Sequence, residues 1–309
     1  MAWKRVRPQD GRLWLSAYRA EMSRALEPRT RDPPRNRAGE AVVWRRDAAR
    51  PVAARTGTPA VTDPAWITAA PGPVHDPTVW RIALTLGETE RRACLSALSD
   101  EERGRAGRFL RQEDHDRYAA SHAALRRILA AALVADPAEL LFRTDDAGKP
   151  ELDGPWRGSL AFNLSHSGGI CLIGLSPDTR IGVDVELMRP IGDCLSLARS
   201  HFTAGEAATL AQLPDEALPA AFYACWTRKE AFVKALGLGL SFPLGRFAVA
   251  IPPAPAALLA VDGSAQAARA WSLQHLTPAP GHVGAVAIDA PGRTCILRSL
   301  EQGWLTCPM

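Results

Sequence analysis

The sequence contains no uninterrupted apolar run of the ~18 residues that a membrane-spanning helix needs, so a membrane protein is not expected. Its six cysteines are scattered and include no C-x-x-C pair. This spacing argues against a zinc cage or a disulfide framework and favours reduced thiols. No apolar segment follows the basic N-terminal residues, so no secretory signal is expected either. These absences predict a cytoplasmic protein.

An excess of basic residues is confined to one part of the 309-residue chain. Residues 1–56 contain 14 Lys and Arg against 6 Asp and Glu, a balance of +8, whereas the remainder has 23 basic and 27 acidic residues, a balance of −4. The arginines and prolines of residues 1–75 predict a mostly disordered extension, with a basic arm for an acidic partner as the alternative. Because the basic character belongs to this extension, a nucleic-acid role is not expected for the body of the chain.

The pattern of apolar residues predicts regular structure from about residue 79 onwards. Strands are expected at 79–84, 140–144, 160–165, 170–175, 181–186, 247–251, 270–276, 282–288 and 295–299. Helices are expected from Ser99 and at 114–135, 191–200, 205–213 and 218–236. This order predicts an α+β protein with two lobes, residues 76–178 and 179–300.

Two acidic side chains, Asp184 and Glu186, lie two residues apart in a predicted strand. They therefore project from the same face of an otherwise apolar segment. Adjacent carboxylates repel each other unless a cation lies between them. Taken alone, the D-x-E pattern favours an exposed edge strand over a metal site.

The predicted helix at 218–236 adds a third carboxylate and two lysines. Glu230 and Lys234 are four residues apart and share a face, while Lys229 lies about a quarter-turn away. These residues form either a surface ion pair worth only ~0.3–0.5 kcal/mol or a site in which the acid binds a metal and the lysines bind phosphate. Carboxylate oxygens with phosphate and water suit Mg²⁺.

Two glycine-containing turns and one capping pattern admit both structural and functional interpretations. The segment S-H-S-G-G at 165–169 predicts either an anion-binding turn or an ordinary hairpin, and the turn around Lys149 has the same ambiguity. The pattern T-x-x-E at 203–206 is a capping box, which is sufficient to explain Glu206.

Several short motifs follow one another in a specific order. The principal ones are F-N-L-S-H-S at 162–167, G-V-D-V-E at 182–186, F-T-x-x-E at 202–206, W-T-R-K-E-A at 226–231 and K-A-x-G-x-G-L at 234–240. Upstream are L-S-x-x-E-R at 98–103, R-F at 108–109, L-R at 125–126 and G-K-P at 148–150. Together they closely resemble the Sfp-type 4′-phosphopantetheinyl transferases over residues 98–249, roughly half the chain.

The resemblance implies a pseudodimer of two similar α+β lobes with coenzyme A bound in the cleft between them. It implies that three acids hold Mg²⁺ with the diphosphate, namely Asp184, Glu186 and Glu230. It further implies that basic and polar side chains contact the phosphates of coenzyme A, namely Arg105, Arg117, Lys149, Ser165, His166, Lys229 and Lys234. A position that can be lysine in relatives is Glu102 here, which weakens the expected grip on the 3′-phosphate.

The implied reaction is attack by a serine of an apo carrier protein on the β-phosphorus of coenzyme A, with release of adenosine 3′,5′-bisphosphate. Catalysis of this kind depends mainly on positioning and charge neutralisation. Lys234 would stabilise charge on the leaving phosphate. Glu206 or a metal-bound hydroxide is the candidate base, although capping explains Glu206 equally well.

The expected partners are carrier proteins or domains of fatty-acid, polyketide or nonribosomal peptide synthases. Segment 236–244 is either a docking surface for them or a core-packing loop. Two lobes in one chain make a monomer sufficient. The competing hypotheses are a coenzyme A-binding module without turnover and a metal-dependent hydrolase of small pyrophosphates.

Overall fold

The structure is a computed structural model that describes residues 65–238, 242–300 and 303–304. Most of the predicted extension, residues 1–64, lies outside this range, as does Cys307. The described end of the extension contains strand β1 (Ile67–Thr68), which pairs with the last strand among the described residues. The predicted α+β class is confirmed. No helix among the described residues combines the length and apolar character that a membrane span requires.

The first part of the fold is a five-stranded sheet covered by helices. The sheet has the order β1, β12 (Ile296–Ser299), β2 (Thr78–Ala83), β6 (Ile170–Ser176) and β5 (Ala161–Ser167). The helices are α1 (Glu88–Ser96), α2 (Asp100–Ala106) and α3 (Gln112–Leu133). A small hairpin of β3 (Phe142–Thr144) and β4 (Pro150–Leu152) follows them.

Helix α3 packs against the five-stranded sheet through apolar side chains of different sizes. Alanines on its buried face share one core cluster with Trp80, Ile82 and Ile173 of the sheet. The bulkier Ile128 and Leu129 of the helix belong to the same cluster. This cluster is the hydrophobic core of the first part of the fold.

The second part of the fold is a three-stranded sheet of β10 (Ser272–Leu276), β11 (His282–Ile288) and β7 (Ile181–Leu187). Helix α6 (Leu218–Leu236) lies on it and is buried along most of its length, including Phe222, Phe232 and Val233. Around it are α4 (Cys194–His201), α5 (Ala204–Leu210), α7 (Ala265–Ala268) and the hairpin of β8 (Phe247–Val249) and β9 (Leu258–Val261).

Several predicted elements match the structure closely. Helix α6 and strand β11 have the predicted bounds, and α3 begins two residues before the predicted start. Ser99 caps α2 in the predicted capping box with Glu102. His166 and Ser167 were assigned to a turn, which is wrong because they continue the strand predicted to end at Ser165. The turn is only Gly168-Gly169, with Gly168 in the left-handed region at φ 57°.

The path of the C-terminal residues differs from the two-lobe division in one respect. Strand β12 was expected in the second lobe, but it pairs in parallel with β2 inside the five-stranded sheet. The sequence pattern identifies a strand but not the sheet that it joins, since parallel neighbours need no local turn. The lobe boundary near residue 178 stays a prediction.

Candidate functional site

The site forms where α6 crosses strand β7 at very short distance. Gly182 makes this contact possible, because a Cβ atom added there would lie 2.2 Å from the Ala231 carbonyl oxygen and 2.3 Å from the Ala235 nitrogen. Asp184 is on the same face of β7, two residues further on. The glycine of G-V-D-V-E therefore brings the last turns of α6 against the carboxylate that follows it.

Two polar side chains, one from α6 and one from β5, contact Asp184 on β7. Lys234 Nζ on α6 donates to Asp184 Oδ1 at 2.6 Å and to Ser165 Oγ on β5 at 2.9 Å. Ser165 Oγ in turn donates to Asp184 Oδ1 at 2.9 Å. Asp184 is 3% exposed, so its charge is held away from bulk water. The structure thus places residues from positions 165, 184 and 234 in one hydrogen-bonded cluster.

The second oxygen of Asp184 fits a cation ligand. Asp184 Oδ2 is buried and makes no hydrogen bond to the described residues. A buried carboxylate oxygen without a partner is unfavourable, and a hard divalent cation is the type of group that would satisfy it. The residues present therefore suit the Mg²⁺ ion that the motif implies.

The other two predicted metal ligands are nearby in the fold but do not form a ready-made cage. Glu230 is buried on α6, and Glu186 on β7 accepts a hydrogen bond from Ser167 Oγ at 2.7 Å. The described residues contain no group of three or more His, Cys, Asp or Glu side chains arranged to hold a metal ion. The three-acid metal site stays a prediction.

Lys229, five residues before Lys234, faces a different part of the molecule. It is fully buried, and its Nζ donates to the carbonyl oxygens of Leu244 at 2.9 Å and Phe247 at 2.7 Å. Burial lowers the pKa of Lys229, and the adjacent Glu206 carboxylate opposes that effect. Every contact found for this ammonium group lies inside the second lobe. This geometry does not support phosphate binding by Lys229, which stays a prediction.

Glu206 is the partner of Lys229 and is also engaged structurally. Its Oε2 lies 2.8 Å from Lys229 Nζ and accepts from the backbone nitrogen and hydroxyl of Thr203. Its Oε1 accepts from the Val249 backbone nitrogen at 2.8 Å. The carboxylate therefore caps α5, pairs with a buried lysine and anchors β8. Its role as the proton acceptor stays a prediction, and capping is the role that the contacts show.

The S-H pair of the motif is divided between the two faces of β5. Ser165 faces Asp184 and Lys234, whereas the alternation of a strand places His166 on the opposite face, with Phe162 and Leu164. The S-H-S-G-G pattern predicted one turn for the pair and did not indicate this alternation. Coenzyme A contact by His166 stays a prediction.

Lys149 lies at the C-terminal end of α6. Its Nζ donates to the Ala235 carbonyl oxygen at 3.3 Å, and burial lowers its pKa. It lines a pocket of about 320 Å³ whose wall also includes the last residues of α6 and further basic side chains from both lobes, Arg143, Arg157 and Arg180. The predicted phosphate-binding lysine is thus placed beside the same helix end that carries Lys234.

The two arginines proposed for the 3′-phosphate differ in their surroundings. The Arg105 guanidinium lies over the Tyr118 ring at 5.9 Å from its centre, and Arg117 is paired with Glu113 and Asp114 on its own helix. Glu102, at the position that can be lysine in relatives, instead caps α2 and accepts from Arg126 Nε at 2.7 Å. Phosphate contacts by Arg105 and Arg117 stay predictions.

The proposed docking segment is only partly described. Residues 239–241 lie outside the described residues, while Leu244 is buried and Leu238 is exposed. The C-terminal end of the segment therefore packs in the core. A docking role for the remainder stays a prediction.

Two residues beside the site were missed by the sequence analysis. Asn163 Oδ1 accepts from the Val183 backbone nitrogen at 2.9 Å, and Ser167 Oγ accepts from the Leu187 backbone nitrogen at 3.1 Å. The available signal was the alternation of polar residues at 163, 165 and 167 in the predicted strand and the residues directly after it.

Replacing Gly182 by alanine tests the close contact between β7 and α6. We expect the free energy of unfolding to fall by about 1–3 kcal/mol, because the new Cβ would overlap the α6 backbone and force the helix away. Urea unfolding followed by circular dichroism measures the change. Gly192→Ala is the matched control, since nothing lies within 4 Å of a Cβ at that position. Equal stability of the two variants would contradict the contact.

Comparison with known proteins places similarity over both lobes. A family model described as the 4′-phosphopantetheinyl transferase superfamily matches residues 180–287, and one described as 4′-phosphopantetheinyl transferase, N-terminal, matches residues 87–177. The chain is 37% identical over 215 residues to the 4′-phosphopantetheinyl transferase HetI of Nostoc sp., covering 69% of this chain and 88% of that protein. It is 32% identical over 166 residues to the 4′-phosphopantetheinyl transferase Sfp of Bacillus subtilis, covering 53% of this chain and 71% of that protein.

Proposed function

The chain belongs to the 4′-phosphopantetheinyl transferase family, and we propose that it transfers the 4′-phosphopantetheine group of coenzyme A to a serine hydroxyl of an apo carrier protein. The observation that supports this most directly is the cluster of Ser165, Asp184 and Lys234. In this cluster, the Lys234 ammonium group lies against the buried Asp184 carboxylate, whose Oδ2 makes no hydrogen bond to the described residues. The cluster joins residues from the two regions that the family models match.

In the proposed reaction, the serine oxygen forms a bond to the β-phosphorus of coenzyme A. The bond between that phosphorus and the bridging oxygen breaks, and adenosine 3′,5′-bisphosphate leaves. The serine proton passes to a base. One phosphorus–oxygen bond therefore forms as another breaks, and no atom changes its oxidation state.

Charge neutralisation is the main contribution we assign to the protein. Asp184, Glu186 and Glu230 would hold Mg²⁺, which when bound would neutralise charge on the diphosphate. The Lys234 side chain is 19% exposed, so its ammonium group is within reach of a substrate phosphate oxygen while it remains anchored to Asp184. Lys149 would contribute a second positive charge from the other lobe. Preorganised charges of this kind are a large source of rate enhancement in phosphoryl transfer.

A mass-spectrometric assay tests the proposed function. The full chain is incubated with coenzyme A, Mg²⁺ and apo carrier proteins of the fatty-acid, polyketide and nonribosomal peptide classes. We expect at least one carrier to gain the mass of one phosphopantetheine group. The matched control is the same carrier with its acceptor serine replaced by alanine, which should remain unmodified.

The same assay separates the alternatives. Cleavage of coenzyme A in the absence of any carrier would favour the pyrophosphate hydrolase. Binding of coenzyme A with every carrier unchanged would favour a binding module without turnover. Either result would overturn the proposed transfer.

A further inference from the structure

Strands β5 and β7 are edge strands of two different sheets that lie side by side. β5 ends the five-stranded sheet, and β7 ends the three-stranded sheet. They are connected through side chains of β5, which accept hydrogen bonds from the backbone nitrogens of β7. The junction between the two sheets therefore depends on polar side chains rather than on a main-chain ladder.

The two connections share one register. Asn163 accepts from Val183 N and Ser167 accepts from Leu187 N, so each pair is separated by 20 residues. Both connections advance by four residues along both strands, which means that β5 and β7 run parallel. A side chain placed at every second residue of β5 can reach the unpaired edge of β7, because alternate residues project to the same side.

The site cluster lies between these two connections. Ser165 is the middle residue of the alternating set, and it donates to Asp184 Oδ1. Any slip of β5 along β7 would break the connections at 163 and 167 and would move Ser165 away from Asp184. The register of the two sheets is thus linked to the geometry of the carboxylate.

Ser167 makes a second contact that Asn163 does not make. Its hydroxyl accepts from Leu187 N at 3.1 Å and donates its one proton to Glu186 Oε2 at 2.7 Å. A hydroxyl whose acceptor and donor functions are both used has a fixed orientation. The Ser167 hydroxyl therefore holds the Glu186 carboxylate in a fixed position relative to the β7 backbone.

We propose that Ser167 is a positioning residue that orients Glu186 toward a divalent cation, and that Asn163 supports it by fixing the register of the two sheets. This role rests on the proposed function, in which Glu186 serves the metal. Partners that orient metal ligands typically change metal affinity 10–100-fold when they are removed. The hydroxyl of Ser167 belongs to this class of partner.

The test measures cation binding directly and transfer separately. Mn²⁺ is titrated into the full-length protein and followed by electron paramagnetic resonance of the unbound ion. We expect Ser167→Ala to raise the Mn²⁺ dissociation constant about tenfold, with the thermal unfolding midpoint in the absence of metal little changed. Ser167→Thr retains the hydroxyl and is expected to restore most of the affinity.

A serine outside the site provides the matched control. Within the part of the chain that the structure describes, Ser159 Oγ hydrogen-bonds only to the Trp156 carbonyl oxygen, so Ser159→Ala should bind Mn²⁺ like the unaltered protein. In the transfer assay, Ser167→Ala should raise the Mg²⁺ concentration for half-maximal rate while the rate at saturating Mg²⁺ changes much less. A structural defect alone would lower both the saturating rate and the unfolding midpoint.

The outcomes distinguish this inference from the proposed function. If Ser167→Ala binds Mn²⁺ as tightly as the unaltered protein, the positioning role is overturned whether or not transfer occurs. If the unaltered protein modifies no carrier, the proposed function fails, and the Mn²⁺ titration still decides whether Ser167 positions a cation ligand. If the unaltered protein does not bind Mn²⁺, the role of Ser167 toward a cation is overturned.

Discussion

Replacing Asp184 by asparagine is expected to reduce the rate of carrier modification by more than about a hundredfold. This loss would exceed the effect that is typical of removing a residue that only orients a metal ligand. The amide has nearly the same size as the carboxylate but lacks its charge. It would leave the Lys234 ammonium group, which now lies 2.6 Å from Oδ1, without its counter-ion. It would also replace Oδ2, a buried oxygen that makes no hydrogen bond to the described residues.

The control for Asp184 is a carboxylate of similar chemistry outside the cluster. Asp262 pairs with Arg246 at 2.7 Å, and both side chains are about half exposed, so Asp262→Asn should retain nearly full activity. Rates are measured by mass spectrometry of the carrier at fixed coenzyme A and Mg²⁺. Full activity of Asp184→Asn would refute the assignment of this carboxylate to the reacting centre.

Replacing Glu206 by glutamine is expected to lower the free energy of unfolding by about 3–5 kcal/mol, because it leaves a buried lysine without its charge partner. Lys229 is 0% exposed, and its other hydrogen bonds among the described residues go to neutral carbonyl oxygens. We expect the double variant Glu206→Gln with Lys229→Met to lose less than the two single changes together, because it removes both charges. Urea unfolding of the four proteins measures this coupling.

A surface ion pair supplies the comparison for Glu206. Arg246 and Asp262 are 2.7 Å apart with both side chains about half exposed, so Asp262→Asn should lower stability by less than about 1 kcal/mol. Asparagine also tolerates the left-handed backbone at that position, where φ is 49°. A similar loss in both single variants would contradict the importance of the buried pair.

Glu206→Gln also separates the structural role from the catalytic one. At a temperature where the variant is fully folded, the structural role predicts a transfer rate per folded molecule within about tenfold of the unaltered protein, below the 10²–10⁴-fold typical of a general base. A loss of about a thousandfold in a folded variant would identify Glu206 as the proton acceptor.

Local patterns in the sequence were sufficient to predict much of the fold. The 19-residue helix Leu218–Leu236 was predicted residue for residue, since an apolar segment is followed by Gly237, which ends it in the left-handed conformation. The capping boxes at Ser99 and Thr203 were also predicted, because their hydrogen bonds connect residues only three apart in the sequence.

Contacts between distant residues were harder to predict. The acid and lysine motifs predicted that Asp184 and Lys234 take part in one site, which their contact agrees with. The sequence could not show that Lys229 is buried among backbone carbonyl groups, away from the cluster around Asp184. Only the tertiary packing of α6 decides which neighbours surround each face of the helix. The sheet that β12 joins was also missed, because pairing between strands far apart in the sequence leaves no local pattern.

The return of β12 to the first sheet has a consequence for how the chain acquires its fold during synthesis. β2 lies between β6 and β12, and the contact of Arg81 with Ser299 joins residues that are 218 positions apart. A ribosome therefore releases β2, β5 and β6 long before the strand that completes their sheet. Until then one edge of β2 lacks its parallel neighbour, and exposed edges of this type promote association between chains. No single cut in the polypeptide separates the strands of the two sheets into two fragments, because β12 follows the strands of the second sheet in the sequence.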